Sequence, residues 1–93
     1  MHVATCQIEL GLDGVRSLKE KRRILKSIIS RLKNEFNIAV AEIDRNDLWQ
    51  SAVIGIAAVG NDAGVLHAVM ENVVAWIERT GDVYVANYGI EFR

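Results

Sequence analysis

A single cysteine and a complete lack of proline are the first features of this 93-residue chain. Cys6, being alone, forms no intrachain disulfide and no C-x-x-C metal knuckle. No apolar run approaches the roughly 20 residues that span a bilayer. Met1-His2 leads directly into a strand pattern, without the charged and apolar regions of a signal peptide. A cytoplasmic protein without membrane association is therefore expected. Repeats, low-complexity stretches and linkers are absent, and the length suits one domain, 1–93, with no second. The net charge is only −1, so bulk electrostatics do not make the molecule a polyanion binder, and nothing indicates DNA sequence specificity.

The elements follow from periodicity. Along 3–12, Ala4, Cys6, Ile8, Leu10 and Leu12 alternate with Thr5, Gln7 and Glu9, which predicts a half-buried strand ending at the Asp13-Gly14 turn. Ser17-Leu18-Lys19-Glu20 is a capping box, with Glu20 expected on the N–H of Ser17. The helix it opens carries Leu18, Leu25, Ile28, Ile29 and Leu32 in one stripe and is expected to stop near Asn34. Residues 36–44 predict a second strand in which Glu42 breaks an apolar face, through either a bulge or a specific partner. The segment 51–59 is apolar on both faces, as a central strand is, and a second helix carries Leu66, Val69, Met70, Val73, Trp76 and Ile77 to a stop at Gly81. Residues 82–92 complete the set, with Tyr84, Tyr88, Ile90 and Phe92 assigned to one side. The order βαββαβ predicts an α+β fold, a ferredoxin-like sandwich with two helices on one face of a four-stranded antiparallel sheet.

Charge is distributed unevenly. Between Arg16 and Lys33 lie eight basic residues and one acid, a segment of +7, while the remainder carries three basic residues and eleven acids, for −8. On a helical wheel with Leu25 at 0°, Arg22, Lys33, Lys26, Lys19 and Arg23 fall between about 60° and 160°, a stripe about 20 Å long beside the apolar face. With Arg16 they form the candidate contact for RNA or another anionic partner, since a row of cations neutralises several phosphates at once. The competing reading is a solvated helix face whose lysine stems cover the core edge. Lys21 falls inside the apolar stripe, where it either snorkels past the end of the core or pairs with Glu42, the other charge out of pattern.

Three motifs carry a resemblance. Ser17-Leu18-Lys19-Glu20-Lys21-Arg22, then Phe36-Asn37-Ile38-Ala39-Val40-Ala41-Glu42, then Trp49-Gln50 with Ile54-Gly55-Ile56-Ala57, resemble the bacterial YlxP-like family across nearly the whole chain. SLKEKR is its most specific mark. The resemblance implies a ferredoxin-like domain of unknown function, encoded near translation and ribosome-maturation genes, and hence a role close to RNA or the ribosome. It supplies no catalytic residues.

Other constellations are weaker. The Gly14-Val15-Arg16-Ser17 turn, with Asn37 or Asn46, echoes the anion loop of acylphosphatase-type domains, but the capping box already uses the helix-end donors. Base stacking in the manner of an RNA-recognition motif needs aromatics on the first and third strands, which carry none. His67 and Glu71 make half a metal site at best, and Cys6 reads as a small buried hydrophobe. No catalytic residue, metal site or cofactor is expected. Val53, Gly55, Ala57 and Val59 would leave an apolar strip on the open sheet face, favouring self-association of copies through the sheet. The expected function is a non-enzymatic accessory protein near RNA or ribosome maturation. A protein–protein module whose basic helix meets an acidic partner is the alternative, and an anion-binding or acylphosphatase-like enzyme is the distant one.

Overall fold

A computed structural model describes residues 1–93. The elements are β1 (His2–Gly11), α1 (Leu18–Glu35), β2 (Ala39–Asp44), β3 (Ser51–Gly60), α2 (Ala63–Arg79) and β4 (Tyr84–Phe92). The strands form one antiparallel sheet in the order β2-β3-β1-β4, and the two helices pack against it. This is the ferredoxin-like βαββαβ arrangement that the element order predicts.

The strand alternation sets the layers. Ala4, Cys6, Ile8 and Leu10 of β1 pair with Ala58, Ile56, Ile54 and Ala52 of β3, and all eight are buried. Leu25, Ile28 and Leu32 of α1 and Leu66, Met70, Val73, Val74 and Ile77 of α2 close the same core. Thr5, Gln7 and Glu9 pair with Ala57, Gly55 and Val53 on the opposite face. Arg31 lies over the Trp76 ring at 5.3 Å and its guanidinium meets Asp82 at 3.4 Å, so this flank of α1 faces α2. The stripe of Arg22, Lys26 and Lys33 therefore lies on the outer flank, above edge strand β2.

Local signals differ from expectation at four places. Glu20 accepts from the N–H of Arg16 (3.4 Å), not of Ser17, while the Ser17 hydroxyl caps the N–H of Glu20 at 3.1 Å as expected. α1 does not stop on a left-handed Asn34. It ends at Glu35, and Phe36 turns to extended backbone while its N–H still bonds Leu32 O. Residues 36–38 accordingly precede β2 instead of belonging to it. A register shift between Glu9 and Leu10 sets Val85 opposite Leu10 and Tyr84 opposite Gly11. The bulge therefore sends Tyr84 to the open face, away from Tyr88, where its ring covers the space a Gly11 side chain would fill.

Gly81, at φ +78, follows α2 in the left-handed region. Gly81→Ala is expected to destabilise by about 1 kcal/mol. That corresponds to a melting point lower by about 4–8 °C in a domain of this size. An unchanged midpoint in a thermal melt would contradict this reading of the turn.

Candidate nucleic-acid interface

The site begins with the start of α1. Ser17, in extended backbone, fixes where the helix opens, and 3.6-residue periodicity then sorts its cations. Lys21 points inward and Arg22, Arg23, Lys26 and Lys33 point outward. Arg16, Lys19, Arg22, Arg23, Lys26 and Lys33 are all exposed, and none has a carboxylate within ion-pairing reach. A surface groove of about 440 Å³ runs between α1 and β2, lined by Arg22, Leu25, Lys26, Ile29, Ser30, Lys33 and Glu42. The structure thus collects three of the predicted cations along one groove, with Lys19 and Arg23 higher on the helix and Arg16 before it.

The one acid in that groove is already engaged. Lys21 Nζ lies 3.1 Å from Glu42 Oε2, and the lysine is fully buried while the Glu42 side chain is 18% exposed. Both explanations for Glu42 apply at once. It faces the helices opposite Ile54, held by Lys21, and the register shifts between Glu42 and Asp44. The Lys21–Glu42 contact lies outside directed hydrogen-bond geometry, so Oε2 is buried with an ionic partner but no donor. The ammonium instead donates to the carbonyl of Arg45 at 2.6 Å. With Glu42 neutralised from beneath, the groove presents net positive charge to solvent.

Arg45 connects the pair to the β2–β3 loop. It is the one non-glycine residue in the left-handed region, at φ 61, and its N–H bonds Asp44 Oδ1 at 2.8 Å. Its guanidinium donates to Ser51 Oγ (3.0 Å) and Glu9 Oε1 (3.5 Å) at one end of the open sheet face. Gln50 clamps the loop to the β1–α1 connection, accepting from Leu12 N–H at 3.0 Å and donating through Nε2 to Val15 O at 3.2 Å. Sequence reasoning missed what this loop displays: Leu48 and Trp49, each 52% exposed. The available signal was an apolar pair set in the polar run Arg45-Asn46-Asp47 and Gln50-Ser51.

Elsewhere the candidates separate. At the β1–α1 turn, the N–H groups of Val15, Arg16 and Glu20 bond Leu12 O, Glu20 Oε2 and Ser17 Oγ. Of the candidate asparagines, Asn46 lies in the β2–β3 loop and Asn37 just before β2. On the open face Val53 is buried, and Ile43, displaced by the β2 bulge, covers Gly55 so closely that an added Cβ would come within 3.0 Å. Of the expected strip only Ala57 and Val59 are left uncovered by these contacts, and Val59 is well exposed. The central strands place no aromatic on that face.

His67 approaches Glu71 at 3.7 Å on the surface, and Glu71 also accepts from the Tyr88 hydroxyl at 2.9 Å. That hydrogen bond, with the carboxylate's charge, raises the Tyr88 pKa. Burial, aided by the charge of Glu71, pushes the Cys6 thiol from its ordinary 9.0 to about 11. The native state then keeps a proton that the unfolded chain releases. The associated stability is intact below pH 9 and declines between 9 and about 11. Cys6→Ala should show a shallower alkaline loss in urea unfolding at stepped pH; identical slopes would mean that the thiol is not the group responsible.

Fold and surface together define a small α+β domain of ferredoxin-like architecture with an unpaired basic flank on its first helix. Residues 3–90 match the family described as "protein of unknown function (DUF503)", and the chain belongs to that family. A curated relative, "uncharacterized protein YlxP" of Bacillus subtilis (strain 168), is 42% identical over 76 residues, covering 82% of this chain and 83% of that one. Among solved structures, "De novo designed protein Foldit4" aligns with a TM-score of 0.48 and 20% identity, over 99% of this chain and 92% of its own. No helix is long and apolar enough to cross a membrane.

Proposed function

We propose that the protein is a non-enzymatic accessory factor that binds RNA, at or near the ribosome, through the outer flank of α1. The observation that carries this reading is the set of six exposed cations without carboxylate partners, Arg16, Lys19, Arg22, Arg23, Lys26 and Lys33. Surface cations on a solvated face are commonly laced to acids at i,i+4, which is worth a few tenths of a kcal/mol, roughly 0.2–0.5, per pair. Here the acids are concentrated elsewhere in the chain, and the one acid in the groove is neutralised by a buried lysine. An array of this kind gains most from displacing counterions off a phosphate backbone. RNA is favoured over other polyanions by the resemblance to a family whose genes accompany those of translation.

The reading is tested by pull-down from lysate at low and high salt, with wild type and the Arg22→Glu, Arg23→Glu, Lys26→Glu triple variant, assaying RNA and protein. Ribosomal RNA retained by wild type alone and released by salt is the expected result. Capture that survives RNase and shows little salt dependence would favour an acidic protein partner instead.

A further inference from the structure

We propose that Trp49 is a base-stacking residue, so that an unpaired RNA base lies on its indole while the backbone follows the basic flank of α1; this rests on the RNA reading above. Three observations lead there. The first is exposure without disorder. Trp49 stands half in solvent, yet its loop is fastened on several sides. Arg45 O accepts from both Lys21 Nζ and Leu48 N–H, and Gln50 bonds the β1–α1 connection through backbone and side chain. An aromatic held in place this way loses little freedom on binding.

The second observation is position. Gln50 touches Val15, which adjoins Arg16, and Lys21, which adjoins Arg22, bonds Arg45. The loop therefore sits where the cation row begins. Asp44 and Asp47 outnumber the one cation of the loop, Arg45, so the loop favours phosphates less than the helix flank does, while an uncharged base meets no such repulsion.

The third observation is the character of the surroundings. The depression at the tip is shallow and open, and Leu48 and Trp49 stand there among Asp47, Gln50 and Ser51, with no surrounding wall of apolar residues. A protein hot spot needs a ring of contacts that excludes water around its aromatic anchor. A nucleobase needs only one π face, and such stacking is indifferent to sequence. The central sheet strands present no aromatic, so this site is not the sheet platform of an RNA-recognition motif.

The test titrates wild type, Trp49→Ala and Trp49→Phe with single-stranded oligo(U) and with a blunt RNA duplex at about 50 mM salt. Trp49→Ala is expected to lose roughly 5- to 150-fold in affinity for the single strand, and Trp49→Phe much less. Wild type should prefer the single strand, and that preference should vanish in Trp49→Ala. Tryptophan fluorescence should be quenched in wild type and barely changed in Trp49→Phe, which retains only Trp76 as reporter. Thermal melts of each variant identify any loss that comes from unfolding. Equal affinity of wild type and Trp49→Ala, with binding still abolished by the α1 triple variant, would overturn stacking and leave the RNA reading standing. Wild type that binds neither RNA would remove both. A Trp49-dependent contact with a protein that survives RNase would overturn stacking in favour of a protein anchor.

Discussion

Lys21→Ala is expected to destabilise the domain by about 3–5 kcal/mol, the loss seen when one partner of a buried ion pair is removed. At about 4–8 °C per kcal/mol, the melting point would fall by roughly 12–40 °C. The cause is what stays behind. Glu42 Oε2 is buried and has no donor apart from the ionic contact at 3.1 Å, and the Arg45 carbonyl loses the amine that bonds it at 2.6 Å. The 18% exposure of the Glu42 side chain lets water recover part of this, which favours the lower end of the range.

The double variant Lys21→Met, Glu42→Leu removes both charges and keeps similar volume, so it should regain most of the stability. The Arg45 carbonyl would keep only the Leu48 N–H, and the lost bond from the ammonium would leave a deficit of about 1.5–3 kcal/mol. Urea unfolding decides the matter. A single variant within about 1 kcal/mol of wild type would show that the pair is not structural. A double variant no better than the single would show that packing, not the stranded charge, is what was lost. Because Lys21 also holds the β2–β3 loop, its loss should loosen the presentation of Trp49.

The second large effect is expected on binding alone. Arg22→Glu, Arg23→Glu, Lys26→Glu places three carboxylates on the exposed flank and buries nothing, so each change should shift stability by less than about 0.5 kcal/mol. Affinity for RNA should be lost entirely, since three attractions become three repulsions along one flank of α1. Reversing Arg31 is a poor substitute, because that side chain is engaged with Asp82 and Trp76 on the other flank. Cooperative unfolding near the wild-type midpoint together with absent binding is the expected pair of results. A triple variant that fails to fold would make the stripe part of the architecture instead.

Much of this was readable in the sequence because it depends on local periodicity. Alternation along β1 exposed its buried face, and Ser17 marked the helix start. A lysine in an apolar stripe and a glutamate in an apolar strand were each out of pattern, pairing being one of two readings for each, and the structure brings them to 3.1 Å. What escaped depends on bulges, which no periodicity reports. The shift after Glu42 swings Ile43 over Gly55, so the expected apolar strip is partly covered. The shift opposite Glu9 sends Tyr84 to the other face from Tyr88. The fastenings of the loop carrying Trp49, Lys21 to Arg45 and Gln50 to Val15, join residues far apart in the chain, so no local pattern reveals them.

The most direct test of an RNA-binding flank is the dependence of affinity on salt. With four to six phosphates contacted by Arg16, Lys19, Arg22, Arg23, Lys26 and Lys33, log K against log salt for single-stranded RNA should have a slope between about −3 and −4. Between about 50 and 200 mM, affinity should fall roughly 50- to 300-fold, and the triple glutamate variant should not bind at either salt. A slope shallower than about −1, or equal binding by wild type and variant, would contradict the account and return the stripe to a solvated helix face.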